Sequence, residues 1–276
     1  MVKEFTEAGV EAVLVALDLA PTTGAPPCSN EYVKGMQSRH SDRIIHAWAT
    51  VDPLKGEVAI RGAGTAIKEL GMLGFHFHPI MGHVAVNDRR CYPLFEVIDA
   101  LKVPVMIDVG TTGMGAGMPG GLGARIRHAH PSAIDDLAAD FPNLKIVAAH
   151  PGWPWVEEMT AVALHKGNVF WEMSGWAPKH FPAQLKIDIR GRLQDKVMFG
   201  ATIRAFRTRG SSRSGRSSAM PMRSWTRSIT PTPSVSSDSS HHRPPTPGGL
   251  KEQRWFSPLS ARPGSDKGTK GRADAG

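Results

Sequence analysis

Three apolar runs in this chain end in side chains that can carry chemistry: Phe75-His76-Phe77-His78-Pro79, Ile107-Asp108-Val109-Gly110 and Ala149-His150-Pro151-Gly152. If the runs are strands, a period of two puts His76 and His78 on one face and Phe75 and Phe77 on the other. A carboxylate inside a Val/Ile run needs a partner or a metal once it is buried, which makes Asp108 a candidate. His150 closes an apolar run in the same way. Imidazoles and a carboxylate gathered at one place suit a borderline divalent ion such as zinc, which would acidify a bound water or polarise a carbonyl. The expected assignments are therefore His150 and Asp108 as catalytic and metal-binding residues. His76, His78, Trp153 and Trp176 are expected to bind substrate. The plainer use of His76 and His78 is to cap a backbone carbonyl, and that of the tryptophans is core or rim packing.

A Gly-rich stretch, residues 111–123, contains Gly115-Ala116-Gly117-Met118-Pro119-Gly120, which matches GxGxxG after a strand. Pro119 stands where a dinucleotide-binding helix should be starting, so an active-site loop is the better reading.

These residues must be placed by the elements around them. β-branched runs at 10–17, 43–52, 103–110, 144–152, 168–175 and 196–200, with a shorter one at 71–79, alternate with helix-like stretches of 10–15 residues. Such alternation predicts βαβ units and a parallel sheet. Seven strands are expected, each but the last followed by a helix, with a short helix over 3–8 ahead of the first. The fold class expected is an incomplete (β/α)8 barrel holding strands 2–8. Its active site would lie at the C-terminal strand ends, where the three polar motifs fall.

The chain carries 33 Lys+Arg against 25 Asp+Glu, but residues 201–276 hold 14 and 4 of these, leaving 19 and 21 for residues 1–200. The basic charge thus belongs to the tail. Residues 201–276 are Ser-, Arg- and Pro-rich and carry no apolar period, so they are expected to be disordered. The boundary falls at one residue, in mid-strand, and a one-base shift lets 201–209 encode DYPSLPHE. The same shift lets 224–239 encode (V/L/M)DKVYHANAERLLGL, a closing helix. The tail is therefore read as out of frame, a genuine basic tail being the alternative. Two cysteines imply no disulfide framework and a cytoplasmic setting. No apolar run nears the roughly 18 residues a membrane span needs.

Residues 1–200 resemble the decarboxylase-like branch of the amidohydrolase superfamily, amidohydrolase family 2. The resemblance is carried by GFHFHP, YPLFEVIDALKVPVMIDVG, FPNLKIVAAHPG, GNVFWEMSG and KVMFG. It implies a single barrel that binds one divalent metal, usually zinc, and acts on small carboxylated or aromatic compounds. It implies that His150 is the sixth-strand metal ligand or general acid/base. Asp108 stands where many relatives have a metal-binding His, a departure from the pattern. The family's first-strand His-x-His pair has no counterpart ahead of Val10, and the eighth-strand Asp is lost to the tail.

The function expected is metal-dependent hydrolysis of a small carboxylated or aromatic molecule, with this chain inactive as written. Non-oxidative decarboxylation on the same site is one alternative, and a non-catalytic remnant with a basic binding tail is another. The expected partners are a small-molecule substrate and a second copy of the chain, with no nucleic acid and no membrane.

Overall fold

The computed structural model describes residues 11–200 together with Val2 and Thr6. The basic tail, the out-of-frame reading and most of the short leading helix lie outside these residues. The described elements run β1 (Ala12–Val15), α1 (Ala20–Thr23), α2 (Asn30–Arg39), β2 (Ile44–Trp48), α3 (Glu57–Lys68), β3 (Phe75–Phe77) and α4 (Tyr92–Ala100). They continue β4 (Val105–Asp108), α5 (Pro131–Asp140), β5 (Ile146–Ala149), α6 (Val156–His165), β6 (Val169–Glu172), α7 (Ala183–Arg190) and β7 (Val197–Met198).

Every strand pair is parallel, and the spatial order follows the chain. The β1–β2 pair connects to the five strands from β3 to β7 through a bridge between Ala49 and Phe75. There the Ala49 N–H donates to Gly74 O and the His76 N–H to Ala49 O, both at 2.8 Å. This is the parallel α/β alternation the sequence predicts. Among the described residues β1 pairs only with β2 and β7 only with β6, so the ladder is open at both ends.

Local chemistry starts the helices. Ser29 caps α2 by accepting the Tyr32 N–H, and His130 caps α5 by accepting the Ser132 N–H. Pro93 and Pro131 occupy the first turns of α4 and α5, where a missing N–H costs nothing. Burial follows the helical period: α3 presents Ala59, Ala63 and Ala66 to the sheet, and α5 presents Ala133, Ile134, Leu137 and Ala138. Strand β5 is buried along its whole length, as a parallel strand covered on both faces must be. Each fully buried Ile or Phe of this core contributes about 1.5–3 kcal/mol. The sequence places the last helix over 182–194, but α7 ends at Arg190, with Gly191 as its cap. Among the described residues no helix is long and apolar enough to cross a membrane.

Candidate active site

The C-terminal ends of β3 to β6 converge on one carboxylate. Asp108 is the last residue of β4, paired with Ala149 of β5, so His150 follows it immediately on the neighbouring strand. On the other side, the β3–β4 register sets Phe77 beside Ile107, with His76 one residue earlier. The side chains close the gaps that the backbone leaves. His76 Nε2 lies 2.9 Å from Asp108 Oδ2, His150 Nε2 2.8 Å from Asp108 Oδ1, and His78 Nδ1 3.9 Å from Asp108 Oδ2. Phe77 points the other way, edge-on to Phe95 of α4 at 5.5 Å. The period-two reading of this strand thus holds.

The electrostatics follow from burial and from this ring of imidazoles. Burial alone would raise the Asp108 carboxyl, but His78, His76 and the hydrogen bond from His150 outweigh it and hold the group well below its ordinary range. Burial would likewise lower His150. The hydrogen bond to Asp108, the charges of Asp108 and Glu172, and the Ser174 carbonyl prevail and push it up to about 9. His150 is therefore an imidazolium at neutral pH. His78 moves the other way: burial keeps its imidazole below the usual value against the pull of Asp108, and His76 and His150 reinforce that.

The backbone around His150 is built to hold that ring. His150 has φ +73°, a left-handed conformation that a residue with a Cβ adopts only under constraint. Its carbonyl is fixed by Trp171, which is fully buried and donates its Nε1–H to it at 2.7 Å. Gly175 has φ +83°, and a Cβ there would meet His150 Nδ1 at 2.8 Å, so only glycine lets the ring lie against this backbone.

Sequence reasoning missed two residues that belong to the same constellation. Glu172 ends β6, and Ser174 follows two residues on. The Ser174 N–H and hydroxyl donate to Glu172 Oε1 and Oε2 at 2.8 and 2.7 Å. His150 Nδ1 lies 3.0 Å from the Ser174 carbonyl oxygen. Burial raises the Glu172 carboxyl, more than Ser174 and His150 lower it. The signal was present, since Glu172 is a carboxylate at the end of an apolar run just as Asp108 is.

The other expected residues fall at the rim. Trp153 and Trp176 are exposed on the loops after β5 and β6, their rings 6.1 Å apart. Trp155 meets His130 edge-on at 4.7 Å, and Trp171 is core. His78 lines a cavity of about 40 Å³ at the ends of β1, β2 and β3, together with Asp18, Thr50 and Asp52. That is room for a water or two rather than for a substrate. The glycine-rich loop forms short turns at Pro119–Gly123 and Ile126–Ala129, and no longer helix begins before Pro131.

The metal expected at Asp108 and His150 does not fit the described donors. Both Asp108 oxygens already face imidazole nitrogens. Among the described residues no set of three or more His, Cys, Asp or Glu side chains is disposed to hold an ion. What the arrangement offers by itself is proton transfer.

Against known proteins, a family model described as Amidohydrolase matches residues 9–201, and the chain belongs to that family. An uncharacterised TIM-barrel protein from Bordetella bronchiseptica is similar in structure, with TM-score 0.59 and 24% identity, over 72% of this chain and 67% of that one. A 5-carboxyvanillate decarboxylase from Sphingomonas paucimobilis gives 0.53 and 18%, over 72% and 70%. A probable 2-pyrone-4,6-dicarboxylic acid hydrolase from Acinetobacter baumannii gives 0.50 and 14%, over 73% of each chain. The barrel is thus common to these proteins. No curated protein matches the chain.

Proposed function

We propose that this amidohydrolase-family member hydrolyses a small carboxylated or aromatic compound by acid–base chemistry, with His150 as proton donor and His78 as base. One observation carries the reading: two imidazoles flank a single buried carboxylate, at 2.8 Å and 3.9 Å, and are displaced in opposite directions. Pairs of titratable groups pushed apart by their surroundings are how one site runs acid and base steps at one pH. His150 is part-exposed, so a substrate oxygen arriving there would compete with Asp108 Oδ1 for the Nε2 proton. His78 stays neutral beside its water-sized cavity and would take a proton from water. Asp108 orients the His150 ring by hydrogen bond, while His78 Nε2 lies 3.3 Å from the Thr112 hydroxyl. Trp153 and Trp176 would offer flat walls to an aromatic ring. Zinc, which the family resemblance implies, does not fit the described donors, and no step here runs through it.

A second reading, non-oxidative decarboxylation, is favoured by the charge on His150, because replacing a carboxylate by hydrogen needs a proton donor and no activated water. The similarity to a carboxyvanillate decarboxylase is in keeping with it.

The two readings separate on product mass. The chain is incubated with a lactone of an aromatic dicarboxylic acid and with a carboxylated phenol, and products are followed by mass spectrometry. Hydrolysis adds one water to the lactone, whereas carbon dioxide from the phenol marks the second reading. His150→Gln should lower kcat by about 10²–10⁴-fold. In the parent enzyme kcat should fall above pH 9, as His150 loses the proton it donates. Turnover unchanged in His150→Gln would sink both readings.

A further inference from the structure

Behind His150, on the side away from Asp108, lies a buried hydrogen-bonded box made by a single strand end. Glu172 and Ser174 are both buried, and so is Trp171 between the two strands. The Glu172 carboxylate turns back on its own chain to accept the backbone N–H and the hydroxyl of Ser174, at 2.8 and 2.7 Å. Because the hydroxyl proton goes to Glu172, the Ser174 Oγ turns a lone pair toward His150 Nδ1, 3.2 Å away. The Ser174 carbonyl faces the same nitrogen at 3.0 Å. The Nδ1 proton therefore meets two acceptors, and the second exists only because Glu172 sets the direction of the hydroxyl. Gly175 and Gly200 wall the box: a Cβ on the first would strike His150 Nδ1, and one on the second would lie 2.7 Å from Glu172 Oε1.

We propose that Glu172 and Ser174 are a positioning pair that fixes the His150 ring through its Nδ1 proton, so that Nε2 is presented to Asp108 and to the substrate. The pair touches no substrate and acts only through His150. Its catalytic consequence rests on the function proposed above, whereas its effect on the ring does not. A carboxylate behind an imidazole fixes which nitrogen keeps its proton, and the neighbouring hydroxyl here passes that constraint across one extra bond. Fully satisfied buried networks of this kind hold one geometry, because leaving any member unpaired in a low-dielectric site is costly.

The test is imidazole ¹⁵N and ¹H NMR on the whole chain, labelled at histidine and assigned with His150→Gln. In the parent protein the His150 Nδ1 proton should be resolved and slow to exchange. Glu172→Gln preserves shape but lets the Ser174 hydroxyl turn, and the Nδ1 proton should exchange at least 10-fold faster. Ser174→Ala removes the hydroxyl and keeps the carbonyl, and should give a smaller increase in the same direction. Ser174→Thr, which keeps a hydroxyl, should restore slow exchange. If Glu172→Gln does not fold, the Ser174→Ala and Ser174→Thr pair decides alone. Parent-like exchange in Ser174→Ala and in any folded Glu172→Gln, with near-ultraviolet circular dichroism unchanged, overturns the proposal. With a working substrate, Glu172→Gln should lower kcat about 10-fold with KM little changed. An exchange effect without that fall keeps the positioning pair and removes the catalytic role given to His150.

Discussion

Asp108 and Asp18 are the same residue type, one closing β4 of the five-stranded sheet and the other lying just past β1 of the two-stranded pair, yet they are handled differently. Asp108 ends β4, which is paired on both sides, and its carboxylate is enclosed by three imidazoles. Asp18 follows β1, which has one partner among the described residues; its Oδ1 accepts the Ala20 N–H at 3.0 Å and its Oδ2 faces the half-exposed Lys55 at 3.5 Å. The strands differ in the same sense: every residue of β3 and β5 is buried, and none of β1 or β7 is. A strand covered on both faces excludes water, so a charge at its end must be answered by neighbouring side chains. At the flank, a local backbone N–H and a half-exposed lysine do the same work without any buried imidazole. Chemistry is therefore seated in the middle of the ladder, where each polar group depends on another.

Five measurements test how far this contrast goes. The largest effect is expected from Asp108→Asn, which leaves the part-exposed His150 imidazolium facing a neutral amide in place of its buried carboxylate. Breaking a buried ion pair from one side costs about 3–5 kcal/mol, read by urea denaturation. Asp18→Asn in the same assay should stay within about 1 kcal/mol, since its lysine partner is half exposed and the amide oxygen can keep the Ala20 N–H bond. Equal losses at the two positions would erase the distinction. Trp171→Ala, which empties the fully buried space beneath His150 and frees its carbonyl, should also cost about 3–5 kcal/mol.

The pH dependence sharpens the same point. His150 has a folded value of about 9, above its ordinary 6.5. Its contribution to stability is complete below pH 6.5 and is lost as pH rises through 9. Asp108, depressed when folded, contributes above about pH 3.9 and loses that contribution as pH falls through its lower folded value. Unfolding free energy should therefore decline from pH 6.5 to 9 in the parent, with the slope largely gone in Asp108→Asn. A parent protein equally stable at pH 6.5 and 9 would contradict the charged His150. A loss smaller than at Asp108 or Trp171 is expected from Gly175→Ala, about 1–3 kcal/mol, because it adds a strained φ and one close contact to a ring that can shift. Its signature should be a changed His150 NMR environment rather than loss of the fold.

The helices and strands were legible because their signals are local. The Ala59, Ala63, Ala66 stripe and the Pro131 start can be read off a few residues each. The two-residue period of Phe75 to His78 likewise named the inward face. Glu172 is legible by the criterion that singles out Asp108, a carboxylate closing an apolar run. Its partner, Ser174, carries no signal of its own, since its role comes from a carboxylate two residues back and an imidazole 24 positions away. The short α1 escaped because four residues around Pro21 leave no periodicity to detect. The metal expected at Asp108 and His150 rests on residue types and on the family resemblance, neither of which says that both Asp108 oxygens face imidazoles.

By itself the sequence determined the order of parallel strands, the covering helices and the placing of His76, His78, Asp108 and His150 at strand ends, because side-chain period and βα alternation are properties of short segments. The tertiary structure decided which of these groups meet. Register between neighbouring strands brings His76, not His78, to hydrogen-bonding distance of Asp108. The left-handed turn at His150 aims one ring nitrogen at Asp108 and the other at Ser174. Period specifies a face but not a partner, and partners 24 to 42 residues apart in the chain are chosen only when the strands lie side by side.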